Sequence, residues 1–214
     1  MKSFLYLENS QPEALPEPLD RDDVRYAPAL VRCFLEEYTR PGDRVLDPFA
    51  GLGTTLFVAE AMGRIPYGVE LSEEKVAYVR SRLKQTESLI QGDSRRLASL
   101  GLPAFDFCMT SPPFMTIEDD TDPLSDYTAS GGGYRAYLQE MRGVFAQLRA
   151  LVKAGGRVVV EVSNLKQYGR VTPLAWDLAG EISRVMHFEG EVVVCWDHYD
   201  YGYDHSYCLV YSVM

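Results

Sequence analysis

The chain of 214 residues predicts an α/β fold, a mainly parallel sheet with helices on both faces and an antiparallel last strand. Three observations lead there. Short apolar runs alternate with helical stripes from Arg44 onward, the pattern of repeated strand–helix units. Two of the runs end in turn-forming motifs, Asp47-Pro48-Phe49-Ala50-Gly51-Leu52-Gly53-Thr54-Thr55 and Thr110-Ser111-Pro112-Pro113-Phe114. The last two runs are joined by a hairpin-length loop with no helix, which makes the final strand antiparallel.

Residues 1–25 are rich in proline and acid (Pro12, Pro16, Pro18, Asp20, Asp22, Asp23) and read as an arm over the surface. Tyr26 to Tyr38 carries Leu30, Val31, Phe34 and Leu35 at helical spacing, and Pro41-Gly42-Asp43 ends it. Strand 44–49 then leads to helix 53–63, strand 65–71 to helix 73–85, and strand 88–92 to a short helix 95–100 and strand 105–110. The irregular stretch 115–133 carries acids at 118, 119, 120, 122 and 126, closes on three glycines, and reads as a mobile lid. Helix 134–153 follows, with Leu138, Met141, Val144, Phe145, Leu148 and Val152 on one face. Arg135, Arg142, Arg149 and Lys153 recur on one face of it and read as solvated charge. Strand 157–162, helix 172–186 and strands 190–196 and 206–213 complete a single domain over 26–214.

A composition of 46% hydrophobic residues supports one sizeable core. No apolar run reaches the length of a membrane span, and the N-terminus turns acidic too soon for a signal peptide. Cys33, Cys108, Cys195 and Cys208 show no Cys-x-x-Cys pairing and read as reduced thiols of a cytoplasmic protein, not as a zinc site. The net charge of −10 argues against broad affinity for phosphate backbones, though a local basic path remains open.

Gly51 and Gly53 allow close backbone approach to a ligand, but Leu56 stands where a dinucleotide fingerprint needs its third glycine. Asp47 would repel a pyrophosphate and suits a cationic amino group. Glu70, closing the second strand, can accept from two ribose hydroxyls, and Asp93, closing the third, from an adenine amine. Any one of these acids could be a plain helix cap. The three on successive strands describe S-adenosylmethionine, and no metal is called for; the acids and histidines of Asp197 to His205 read as a substrate-contacting hairpin.

The Thr110–Phe114 motif has its own logic. An aromatic amine has its lone pair delocalised into the ring. Acceptors for its N–H hydrogens, here the Ser111 hydroxyl and the Pro112 carbonyl, favour a pyramidal and more nucleophilic nitrogen. Pro112 and Pro113 fix the carbonyl, and Phe114 offers a stacking face for a flipped base.

The two motifs together resemble the exocyclic-amino methyltransferases of DNA, which modify N4 of cytosine or N6 of adenine. The resemblance covers roughly residues 26–213 and implies a Rossmann-like, seven-stranded methyltransferase sheet. It implies that Asp47, Phe49, Gly51, Gly53, Thr54 and Thr55 line the methionine end of the cofactor, with Tyr26 closing over it and Thr110 at the junction. Glu70 and Leu71 would hold the ribose, Asp93 and Ser94 the adenine, and Ser111, Pro112, Pro113 and Phe114 would carry catalysis. Only the catalytic core is recognisable. Target reading is therefore expected from residues 1–25, 115–133, 197–205, a second copy or a partner protein. DNA is the favoured substrate; RNA and a non-catalytic cofactor-binding subunit are the alternatives.

Overall fold

The computed structural model describes residues 2–20, 24–125, 128–129, 132–199 and 202–214. Among them eight strands form the main sheet: β1 Phe4–Leu7, β2 Arg44–Asp47, β3 Ile65–Glu70, β4 Leu89–Gln91, β5 Phe105–Thr110, β6 Val152–Val162, β7 His187–Trp196 and β8 His205–Ser212. Their spatial order is β1-β7-β8-β6-β5-β2-β3-β4. All pairings are parallel except those of β8, which runs antiparallel to β7 and β6. The helices are α1 Pro28–Tyr38, α2 Thr54–Ala61, α3 Glu73–Arg80, α4 Gly133–Leu151 and α5 Leu174–Ile182. The expected mainly parallel sheet with an antiparallel last strand is thus the observed one.

Two apolar layers sandwich the sheet. On one side Met141, Val144, Phe145 and Leu148 of α4 and Leu174, Leu178 and Ile182 of α5 pack on Val158, Val160 and Tyr211. On the other, Leu30, Val31, Phe34 and Leu35 of α1 pack on Phe107, Met109 and Val159. The alternation of partners along β6 is the period of two expected of a strand buried on both faces. On α4, Arg142 pairs with Glu181 of α5, and Lys153, just beyond the helix, pairs with Asp106.

Three expectations change. The N-terminal arm is partly sheet: Phe4–Leu7 adds an edge strand beside β7. Leu5 and Leu7 pack on the α1 layer while Phe4 and Tyr6 face solvent, so four alternating residues suffice once a partner edge is present. Residues 21–23 of that arm lie outside the described residues. Helix α5 starts at Leu174, because Leu165–Gln167 and Arg170–Thr172 first form a small antiparallel ribbon.

The third change concerns the lid. Met115, Thr116, Pro123 and Leu124 are buried, and the Ile117 amide donates to Thr172. The acids there serve local backbone groups: Asp119 accepts from the Thr116 amide and Asp122 from the Leu124 amide. Both ends of the 115–125 segment are therefore packed in place, while Ile117, Glu118, Asp120 and Thr121 between them stay exposed. Asp126 and the first glycine of the closing run, Gly131, lie outside the described residues.

The packing where β3 passes under α2 admits no extra atom. A Cβ at Gly68 would lie 2.9 Å from Leu56 Cδ2 and 3.0 Å from both Ala50 Cβ and Leu89 Cδ1. Gly68→Ala should destabilise the protein by about 1–3 kcal/mol, the usual effect of overpacking. Urea unfolding with an unchanged midpoint would show that this layer is looser than its contacts imply.

Candidate active site

The C-terminal ends of β2, β3, β4, β5 and β6 meet along one edge of the sheet, where open α/β folds bind ligands. A single cleft there is lined by Tyr26, Phe49, Gly51, Thr54, Glu70, Leu71, Asp93 and Ser94 on one side and by Ser111, Pro112, Pro113 and Phe114 on the other. The two sequence motifs thus share one cavity.

The strand-end acids use a common local device. The amide two residues on donates to each: Phe49 N to Asp47 Oδ1 at 3.0 Å, Ser72 N to Glu70 Oε1 at 2.8 Å, and Arg95 N to Asp93 Oδ1 at 2.9 Å. Each turn leaving the sheet is thereby fixed by its own carboxylate. What the remaining lone pairs do differs from acid to acid.

Glu70 receives the Gly51 amide at 2.8 Å on Oε2, so it binds the glycine turn to the end of β3 while its carboxylate still lines the cleft. Gly51 and Gly53 have φ of +52° and +83°, left-handed values that glycine adopts without strain. A Cβ at Gly53 would also come within 2.8 Å of Val79 Cγ1. Gly53 lets α2 start close against α3 rather than lining the cleft itself.

Asp93 is held by Arg95, whose Nη2 donates to Oδ2 at 2.8 Å and whose Nε lies 3.0 Å from both oxygens. Partial burial works to raise its pKa, but the bonds from Arg95 outweigh it and hold the carboxyl below the usual carboxylate range. Arg95 reaches on to Ser125 and Glu140, which helps pin the 121–125 segment beside the cleft. The Ser94 hydroxyl donates to the Pro48 carbonyl, tying the end of β4 to the first motif.

Asp47 differs from its expected placement. It is 1% exposed and lies beneath the cleft wall, as do Thr55 and Thr110, rather than lining the cavity. Oδ1 accepts from the Thr110 hydroxyl at 2.7 Å, and Oδ2 accepts from the Tyr26 hydroxyl at 3.3 Å. Tyr26 also bonds Thr55. Asp47 therefore ties together both motifs and the segment before α1, and acts on the cleft through its field and through Tyr26. Desolvation raises its pKa to about 6, with Thr110, Thr55, the Phe49 amide and Tyr26 pulling the other way.

On the opposite wall the Ser111 hydroxyl donates to Glu161 Oε2 at 2.8 Å, and the Pro113 carbonyl accepts from Tyr137 of α4 at 2.9 Å. Glu161, near the end of β6, is 6% exposed and lines the cleft. Sequence reasoning passed over it, although an acid at the C-terminal end of a Val-Val-Val-Glu-Val strand is a visible signal. Tyr199 also lines the cleft, and Asp197 of the same loop accepts from the Asn9 amide. Asp200 and Tyr201 of the loop lie outside the described residues.

These residues suit S-adenosylmethionine: a carboxylate fixed in the cleft at the end of β3, a glycine turn that opens backbone to the ligand, and buried anions that favour a cation. The raised pKa of Asp47 gives a stability test. A carboxyl with a folded pKa near 6 and an unfolded value of 3.8 favours folding most below pH 3.8, and that contribution is lost as pH rises through 6. Asp47→Asn should therefore gain up to about 3 kcal/mol over wild type between pH 4 and pH 8. Denaturant unfolding at the two pH values, with no change in the difference, would contradict the buried ionised state.

Comparison with known proteins adds a family match over part of the chain and a fold. Residues 20–81 match the N6/N4 methyltransferase family model, described as DNA methylase. The chain is similar to the Type II methyltransferases M.XycI of Xanthomonas campestris pv. cyanopsidis and M.SmaI of Serratia marcescens. It is 40% identical to the first over 63 residues, 29% of this chain and 21% of that protein, and 40% identical to the second over 55 residues, 26% and 19%. The aligned part thus spans about a fifth of the length of these relatives. Among solved structures, TrmN from Thermus thermophilus matches with a TM-score of 0.64 at 20% identity, over 92% of this chain and 52% of that one. A TehB-like SAM-dependent methyltransferase from Corynebacterium glutamicum matches with a TM-score of 0.58 at 14% identity, over 86% and 87%. Over residues 20–81 the chain carries the sequence signature of the N6/N4 DNA methylase family, set on the Rossmann-like fold of the S-adenosylmethionine-dependent methyltransferases.

Proposed function

We propose that this protein transfers a methyl group from S-adenosylmethionine to an exocyclic amino nitrogen of a nucleobase, with DNA as the favoured carrier. One observation carries the reading: the Ser111-Pro112-Pro113-Phe114 segment and the Asp47–Thr55 turn face each other across one cleft and are joined by the Thr110–Asp47 hydrogen bond. A ligand held by the turn and a base held by the segment would meet there. The DNA preference rests on the family match of residues 20–81 and on the similarity to Type II methyltransferases.

When bound, S-adenosylmethionine supplies an electrophilic methyl group on a sulfonium. The chain's own residues do the rest. Glu70, fixed by two amides, is placed to accept from the ribose hydroxyls. Leu71 lies beside Glu70 at the ribose, Asp93 and Ser94 are placed at the cofactor's adenine, and Leu124 adds an apolar side chain to the same cleft. Asp47 holds Thr110 at the end of β5 and so sets where Ser111 begins. Ser111 and the Pro112 carbonyl take the amine hydrogens, and Phe114 stacks on the base. Proximity across the cleft supplies much of the rate, because both reactants are held by rigid strand ends.

Labelled methyl transfer to total DNA and total RNA, followed by nucleoside identification, tests the reading. N-methylated cytosine or adenine in DNA is expected. Label in RNA alone would move the substrate to RNA, and no label with intact cofactor binding would make the protein a non-catalytic cofactor-binding subunit. Glu70→Ala should weaken S-adenosylmethionine binding by about 1–3 kcal/mol, the loss of a hydrogen-bonded acceptor. Unchanged affinity by calorimetry would remove the ribose role. Ser111→Ala and Phe114→Ala should depress turnover more than cofactor affinity, with Phe114→Ala losing about 1–3 kcal/mol of base stacking. Full methyl transfer by both variants would refute the assignment of the base-binding wall.

A further inference from the structure

Glu161 is a buried carboxylate whose bonding among the described residues is to hydroxyl groups. Ser111 donates to it from the end of β5 at 2.8 Å, and the hydroxyls of Ser206 in β8 and Tyr199 in the loop after β7 also bond it. The direction of the Ser206 bond follows from its other partner. Trp196 Nε1 donates to Ser206 Oγ at 3.0 Å, so the Ser206 hydrogen is left for Glu161. Three neutral donors satisfy a carboxylate but do not cancel its charge, and an uncompensated buried charge costs several kcal/mol. Packing gives no reason to keep one in the buried run Val158–Val162, which is otherwise valine. Its position behind the amine-binding serine does.

With its hydrogen committed to Glu161, Ser111 Oγ presents lone pairs to the cleft it lines. It is an acceptor by construction, the role that an amino-group donor requires. We infer that Glu161 is the proton acceptor of the transfer reaction, reached through the Ser111 hydroxyl, and that the same bond holds Ser111 in its accepting orientation. This rests on the amino-methyl-transfer reading above.

The proton balance is explicit. As the amine nitrogen takes the methyl carbon, an N–C bond forms, the C–S bond breaks and its electron pair stays on sulfur. The nitrogen becomes cationic and carries one hydrogen too many. That hydrogen passes to Ser111 Oγ while the Ser111 hydrogen passes to Glu161 Oε2. The products are a neutral methylated amine, a neutral thioether and a protonated Glu161. Positive charge moves toward Glu161 as the reaction proceeds, so its attraction grows from ground state to transition state, which is what accelerates a step. Tyr199, which bonds Glu161 and lines the cleft, gives the proton a route outward.

Other titratable groups around Glu161 do not compete in the neutral range. Cys208, from β8, and Tyr26, before α1, are both pushed well up by burial and stay neutral. Burial likewise raises Glu161, with the hydroxyls of Ser206, Ser111 and Tyr199 pulling the other way. Asp47, beyond Tyr26, is raised to about 6 and is present in every variant, so only an acidic limb that Glu161→Gln abolishes is assigned to Glu161.

The test is the pH profile of kcat under saturation for wild type, Glu161→Gln and Ser111→Ala, on the nucleic acid that the labelling survey identifies. Wild type should lose rate as pH falls and Glu161 takes up a proton. Glu161→Gln should lower kcat by about 10²-fold or more, the usual share of general-base catalysis, lose the acidic limb, and bind S-adenosylmethionine within about 3-fold of wild type. A Glu161→Gln variant with the wild-type rate and limb overturns the proposal. If that variant does not fold, Ser111→Ala decides: the limb should vanish there too, and its persistence overturns the relay. Infrared spectroscopy of the carboxyl band gives a readout independent of turnover. Glu161 should titrate above the ordinary glutamate range, and Ser111→Ala should shift that midpoint; an ordinary midpoint indifferent to Ser111 overturns the coupling. Absence of methyl transfer by wild type would count against the proposed function alone, with the infrared titration still deciding whether Ser111 and Glu161 are linked.

Discussion

The Asp47 carboxylate is the constraint on which the site depends. It sits where β2 ends, bonded to its own turn through the Phe49 amide, to β5 through Thr110 and to the segment before α1 through Tyr26. Without it the glycine turn and the Ser-Pro-Pro-Phe segment would be two strand ends set only by sheet register. With it, the first residue of the Thr110–Phe114 motif is bonded to the first residue of the Asp47–Thr55 motif. Desolvation opposes this arrangement, and four hydrogen-bonding groups offset the penalty only in part. Strain of this kind is kept where geometry matters more than stability.

The sheet order explains why one edge can hold both halves. β2 is flanked by β5 on one side and β3 on the other, and the chain reverses direction of progression across the sheet at β2. At such a switch point the loops leaving neighbouring strands diverge to opposite faces and open a crevice. The first motif fills one side through Gly51 and Glu70. The second fills the other through Ser111 and Phe114. β6 stands next to β5, so its end brings Glu161 behind Ser111, and β8, antiparallel beside β6, brings Ser206 to the same point.

The legible parts of this arrangement were those written in local chemistry. Glycine turns, paired prolines and strand-end acids each announce themselves within a few residues. At Glu70 the plain helix-cap reading does not apply, because the cap of α3 is Ser72 itself: one Glu70 oxygen takes the Ser72 amide, the other the Gly51 amide, and the carboxylate still lines the cleft. The missed parts depend on neighbours distant in sequence. Phe4–Leu7 is a strand only because β7 offers it an edge 189 positions away, as Phe4 pairs with Val193. Residues 115–125 looked like a charged flap because Asp119 and Asp122 were counted as free charge, whereas they cap nearby amides. Glu161 stands out locally as an acid among valines, but its partner Ser111 reaches it from another strand, which no local pattern shows.

The charge of the chain, finally, sets how a nucleic acid can approach. Several of its cations are committed to its own acids: Arg82 with Glu13, Arg142 with Glu181, Arg157 with Glu189 and Arg170 with Glu118. The cleft lining adds Glu70, Asp93 and Glu161, with Asp47 beneath its wall. An anionic interior favours a sulfonium and an amine that becomes cationic, and it disfavours phosphate. The two demands are compatible only if the base and its backbone part company, the base entering between Phe114 and Ser111 while the phosphates stay at the rim. A base turned out of its stack does this. Under the proposed function, the same negative charge that would stabilise methyl transfer would thus also exclude from the cleft the part of the substrate that carries no amino group.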